Sequence, residues 1–250
     1  MQGPSGAYLS IIGQPKKSST DSGGAMPTFT DAISLDRFST YRLWANQDEA
    51  LAKRLYTFNV QLSATLYGPL HMLEVALRNV ADRQLVVKRG VDWLDDDKTL
   101  TIKYQSDCVT KARENLTRDG KPATHGQMVA ELNFGFWGSL FGRRSHHLWQ
   151  DLRPIFQAKG IQRNSIAVQL DDFRALRNRV AHYEPILALP LAQRYADITT
   201  LTGWLSPSAA AWINDTSEWP TVYPGVPILV TDAQTNQTRV SPGVIQFLPA

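Results

Sequence analysis

The chain has 250 residues, a net charge of +3 and a hydrophobic content of 43%, enough to fill the core of one large domain or two small ones. No apolar run approaches the roughly 20 residues that a membrane helix needs, and the single cysteine, Cys108, excludes an intrachain disulfide. No charged segment followed by an apolar one marks the amino terminus, so no secretory signal is expected and a reducing, cytoplasmic setting is.

Residues 1–27 hold thirteen Gly, Pro or Ser and almost no periodicity. They predict a disordered leader, taken as residues 1–30, with Met26 as an alternative start. From Asp31 the pattern turns helical. A short helix is expected over Leu35–Ala45 and a long one from Asp48, with leucines at three- and four-residue spacing and a kink or break at Gly68-Pro69. Val91–Asp97 reads as a loop around Trp93-Leu94, and Thr99–Leu116 as a helix closed by Asp119-Gly120. Thr124 is placed to cap a short helix ending at Leu132, and the aromatic and glycine run Phe134–Phe141 suits packing where helices meet. Further helices are expected over Ser145–Ala158, kinked near Pro154, over Asn164–Tyr183 with Asn164 as cap, and over Pro190–Leu205. The segment 216–250 changes character and reads as a loose β-hairpin or irregular tail. The whole is an all-α bundle with one helical domain over 31–215.

One segment carries chemistry. In Leu176-Arg177-Asn178-Arg179-Val180-Ala181-His182, Arg177 falls within the apolar arc formed by Ile166, Leu170, Phe173, Leu176 and Val180. A cation there is costly unless it is paired or lines a cleft. A structural ion pair with a neighbouring helix would answer that constraint, with His182 as an ordinary surface imidazole. However, Asn178 and His182 share a face at i,i+4, and Pro185 limits the helix beyond them. The His is therefore expected in the last turn, where the helix dipole favours positive charge. An Arg, an amide and a His suffice for metal-free cleavage of a phosphodiester.

Charge is concentrated around this helix. Residues 141–182 carry eight Lys or Arg against three Asp, a surplus of five in a chain whose total is +3. That surplus suits a polyanion such as RNA, through counterion release, or a merely solvated face. Candidate RNA contacts are Arg143, Arg144, His147, Arg174 and Arg179. His146-His147 beside two arginines suits backbone phosphate better than metal, because adjacent helical residues point about 100° apart. His71 and His125 read as structural. No Cys/His metal spacing, phosphate-cradling glycine loop or nucleophile elbow occurs, so no metal and no cofactor are expected.

The segment Glu74-Val-Ala-Leu-Arg78-Asn79, then Trp93-Leu94, the Phe134–Phe141 run and Leu176–His182 occur in an order that resembles the Abi-like (abortive infection) family, a branch of the HEPN superfamily of helical bundles. The resemblance spans about residues 35–205. It implies a HEPN-like bundle and a metal-independent endoribonuclease that acts as a toxin-like, antiviral effector. Its motif falls on Arg177, Asn178 and His182, with two subunits lining one cleft in a homodimer. It also admits an antitoxin or regulatory RNA as partner. Tyr183 follows the His directly, whereas the toxins modified on a tyrosine have one residue between, so the resemblance does not extend to that regulation. Glu74 and Arg78 suit an intrahelical ion pair; the functional alternative makes Glu74, Arg78 and Asn79 supports of the motif. The competing class is a non-catalytic helical module binding RNA or a protein through the basic 141–182 face.

Overall fold

The computed structural model describes residues 29–232 and 237–249. The leader expected over 1–30 and the alternative start at Met26 therefore lie outside the described residues, except for Phe29 and Thr30, which open the first helix. Among the described residues there are eleven α-helices and a small three-stranded sheet near the carboxyl end, so the all-α expectation with a short terminal appendage holds. The chain divides into two compact units. The first comprises residues up to Leu66, Arg179–Gln193 and Glu218 onward; the second comprises Tyr67–Asn178 and Arg194–Ser217.

In the first unit, α1 (Phe29–Ile33) and α2 (Leu35–Trp44) precede α3 (Glu49–Arg89), whose first N–H groups are received by Asp48 Oδ1 at 2.8 and 3.0 Å. Phe29, Phe38, Tyr41 and Tyr56 meet mostly edge to face, with Phe38 and Tyr41 fully buried. Burial pushes the Tyr41 hydroxyl well above the usual phenol range, with Tyr56 adding to the effect. Buried Asn59 anchors the stretch after His182: its Oδ1 accepts from Ile186 N at 2.7 Å and its Nδ2 donates to Glu184 O at 3.2 Å.

The expected tail is integrated into this unit. After α11 (Trp219–Val222), strands β1 (Ile228–Asp232), β2 (Arg239–Val240) and β3 (Ile245–Pro249) form a sheet in the order β1-β3-β2. The expected hairpin, with Val226–Val230 and Val240–Phe247 as its arms, is corrected: β1 pairs parallel to β3, and the antiparallel partner of β3 is the two-residue β2. Val244 N donates to Leu187 O at 2.8 Å and Ser241 Oγ to Ala188 O at 3.0 Å. Gly243 lies so close to that strip that a Cβ would stand 2.6 Å from the carbonyl carbon of Ala188. Trp44 packs against Phe247, and Val244, Ile245 and Phe247 are buried.

In the second unit, the rest of α3 is followed by α4 (Lys103–Arg118), α5 (His125–Glu131), α6 (Phe134–Ser139), α7 (Trp149–Leu152), the body of α8 (Arg163–Ala181), most of α9 (Leu191–Leu205) and α10 (Pro207–Thr216). Its centre is Trp93, Phe136 and Trp137, all fully buried, with ring centroids 5.1 to 6.2 Å apart. The aromatic run thus fills space between helices as expected. Trp93 Nε1 donates to Asp82 Oδ1 at 2.9 Å, and His125 Nε2 lies 2.8 Å from the same oxygen, which makes His125 structural as expected.

Several local expectations are corrected. α3 does not break at Gly68-Pro69; a proline inside a helix costs about 3 kcal/mol, and buried Leu62, Leu66, Leu70, Leu73 and Leu77 on either side offset it. Trp93–Asp95 is a 3-10 turn, with Trp93 and Leu94 buried, rather than a loop. α4 starts at Lys103, because Thr99 is buried and bonded through Oγ1 to Asp96 Oδ2. The single helix expected over 145–158 is three short pieces: 3-10 turns over Arg143–Leu148 and Arg153–Ile155 flank α7, with Pro154 in the second. Asn164 is inside α8, which begins one residue earlier. α10 and α11 have no counterpart in the sequence reading.

Candidate catalytic residues and basic face

α8 presents Ile166, Leu170, Phe173 and Leu176 to the core of the second unit. Arg177 is next on the same stripe, yet 46% of its side chain is accessible, because the cover stops after Leu176. The sequence expectation of a cation within the core-facing arc is thus corrected: the guanidinium is at the open end of the arc. Its Nε stands 3.9 Å from Oε2 of Glu74, whose side chain is 21% exposed. At that distance and exposure the attraction is weak, so the fork of donors can still receive an anion. Arg78 does not pair with Glu74; its Nε donates to Asn79 Oδ1 at 3.3 Å. The expected intrahelical pair is replaced by a pairing of Glu74 with the motif arginine. Asn178 is half-buried beside it in the same unit.

His182 belongs to the first unit and is exposed. α8 ends at Ala181, so the histidine caps the helix rather than lying in its last turn. The cap has a specific geometry. Tyr183 N donates to Val180 O at 3.2 Å, Glu184 N donates to Arg179 O at 2.9 Å, and Tyr183 takes a left-handed φ of 59°. This is the two-bond closure that usually places glycine where Tyr183 sits. It satisfies the last carbonyls and fixes the backbone that carries the imidazole. Arg179 serves the same closure, with Nη1 donating to Pro185 O at 3.2 Å and standing 3.8 Å from Glu184. Tyr183 is 69% exposed, and Arg37 lies over its ring, 5.9 Å from the centroid.

The other expected RNA contacts separate into two groups. Arg143 and Arg144 are exposed in the second unit, just after Gly142. Arg174 donates twice to Asp171 Oδ1, at 2.6 and 3.1 Å. His147 is corrected: it is half-buried, with Nε2 at 3.1 Å from Thr99 O, so that nitrogen donates to backbone and is not offered to phosphate. His71, expected to be structural, is instead exposed and stacked parallel on Tyr67 with centroids 6.3 Å apart. Among the described residues, no group of three or more His, Cys, Asp or Glu is arranged to hold a metal ion, and no helix is long and apolar enough to cross a membrane.

Sequence reasoning missed a groove in the second unit formed by Tyr104, Ser139, Asp171 and Arg174 over glycines 135, 138 and 142. The spacing of those glycines within an aromatic run was the available signal, because a helix-forming run gains nothing from glycine unless something approaches closely. The chain matches no known family model, no curated protein and no solved structure.

Proposed function

We propose that this chain is a metal-independent endoribonuclease of the HEPN type, a toxin-like effector of the kind that halts an infected cell. The observation that carries the reading is Arg177, a half-exposed guanidinium held loosely by Glu74 at the open end of an otherwise buried stripe. A structural arginine in that arc would be buried against its partner. The exposed, backbone-locked His182 supports the same reading.

RNA supplies its own nucleophile. The 2′-hydroxyl attacks phosphorus while its proton passes to the imidazole of His182, the side chain whose ordinary pKa lies nearest neutrality. Arg177 bears the charge developing on the non-bridging oxygens, and Asn178 orients the phosphate. The bond to the 5′-oxygen breaks, and the partner subunit's His182 protonates that leaving oxygen in a two-fold homodimer. The products are a 2′,3′-cyclic phosphate and a 5′-hydroxyl. Cytoplasmic action and restraint by an antitoxin or regulatory RNA accompany the reading.

The test is cleavage of single-stranded RNA by purified protein in excess chelator, with product ends identified. Wild type is expected to cleave and His182→Ala to be inactive with its helical circular dichroism unchanged. Cleavage that chelator abolishes and His182→Ala retains would overturn the proposal. RNA binding without cleavage, weakened by Arg143→Ala and Arg144→Ala, would favour the non-catalytic binding module.

A further inference from the structure

The groove of about 490 Å³ in the second unit has a defined chemistry. Its floor is small: a Cβ on Gly135 would stand 2.8 Å from Tyr104 Oη, and one on Gly138 would touch Leu170. One wall is the Tyr104 ring, half exposed, its hydroxyl hydrogen-bonded with Cys108. The opposite rim is the Asp171–Arg174 pair on α8. Both bonds from Arg174 fall on Oδ1 of Asp171, which leaves Oδ2 as an acceptor and Arg174 Nη1 as a donor. Below the floor, Gln105 is completely buried and its Nε2 donates to Ser139 Oγ at 3.0 Å and Ser145 Oγ at 2.9 Å, holding Ser139 in place.

We infer that this groove binds a guanine base of single-stranded RNA, stacked on Tyr104, with its Watson–Crick edge read by Asp171 and Arg174. A flat, open floor and an accessible ring suit an unstacked base. The edge chemistry selects which one. Guanine presents two adjacent donors, N2–H and N1–H, followed by the O6 acceptor, which complements a carboxylate beside a guanidinium. Uracil, cytosine and adenine each present a single donor beside an acceptor, so each gives the carboxylate one hydrogen bond where guanine gives two. The inference rests on the RNA substrate proposed above and assigns to the chain a base preference near Arg177, three residues beyond Arg174 on the same helix.

The test uses full-length protein and 2′-O-methyl oligonucleotides, which lack the nucleophile and so report binding alone. A single guanine in a uridine strand should bind about tenfold more tightly than the all-uridine strand. Asp171→Asn and Tyr104→Ala should remove that difference, whereas Tyr104→Phe should retain it. Gly135→Ala, whose new methyl would stand 2.8 Å from Tyr104 Oη and 3.1 Å from Asn133 Oδ1, should reduce it in a protein whose helical circular dichroism is unchanged. Equal affinity for all four bases, or a preference unaffected by Asp171→Asn and Tyr104→Ala, would overturn the inference. Guanine preference in a protein that never cleaves natural RNA would leave the pocket standing and reject the nuclease; cleavage without any base preference would do the reverse.

Discussion

The carboxylate of Glu74 faces the guanidinium of Arg177, with Oε2 and Nε 3.9 Å apart, while Arg78, one turn further along α3, turns to Asn79 instead. Arg177 belongs to the second of the two Leu-Arg-Asn segments, and Glu74 lies three residues before the first, Leu77-Arg78-Asn79. Removing the base should separate activity from stability. Arg177→Ala is expected to lower RNA cleavage by about 10²- to 10³-fold, the loss typical of one charge-stabilising donor. An exposed pair is worth about 0–1 kcal/mol, so the melting temperature should hardly move. Arg177→Lys should recover little activity, because a point charge lacks the planar fork. Kinetics and thermal melts on the three proteins check this.

Tyr183 occupies a left-handed position with φ 59° at the close of α8. A side chain pays roughly 1–2 kcal/mol there that glycine does not. Tyr183→Gly should therefore raise stability by about 1 kcal/mol, less whatever the contact with Arg37 contributes. Denaturant melts give the sign. If stability falls, Tyr183 is held by its neighbours more strongly than the backbone resists.

Gly243 offers the sharpest test of how the carboxyl-terminal sheet is docked. A methyl there meets backbone of Leu187, Ala188 and Leu189, and backbone cannot rotate aside. Gly243→Ala is expected to cost about 3 kcal/mol, in the range of overpacked sites. A neutral outcome in equilibrium unfolding would detach β2 and β3 from the 187–189 strip.

Cys108 has its thiol pushed above the ordinary range, first by burial and then by Asp107, with the hydrogen bond from Tyr104 opposing. A raised acid binds its proton more tightly in the folded state. Its contribution to stability is therefore complete below the unfolded value of 9.0 and declines as pH rises past it. Alkylation by iodoacetamide at pH 8 should be slower than for an unfolded thiol, and Cys108→Ser should lessen the alkaline loss of stability. Faster alkylation of the folded protein would contradict the assigned environment.

Arg143 and Arg144 are exposed beside the glycine-floored groove. If they contact phosphate, each substitution to Ala should weaken RNA binding about equally for all sequences and reduce the salt slope by about 0.7 for a single strand. His147→Ala should leave that slope unchanged, since its Nε2 is committed to Thr99 O. Titrations at several salt concentrations distinguish the two.

Periodicity alone predicted most helices, because burial rewards a stripe at three- and four-residue spacing wherever the partner surface comes from. Thus α2, α3, α5, α8 and α9 start or end within a residue or two of expectation, and Asp48 and Thr124 cap as their types suggest. The sequence also singled out Arg177 as a cation on an apolar stripe, and Glu74 as an ion-pair partner, though of Arg78. What it could not decide was where such a stripe is covered. The wheel places Arg177 among core-facing positions, and only the packed structure shows the cover ending after Leu176, so that the cation is half in water with Glu74 as its partner. Nor could it see that His182 lies one residue past the helix, since that depends on Tyr183 accepting a left-handed backbone usually left to glycine. The parallel pairing of β1 with β3 and the groove around Asp171 were hidden for the same reason: residues distant in the chain create them, and local propensity holds no information about which distant surfaces meet.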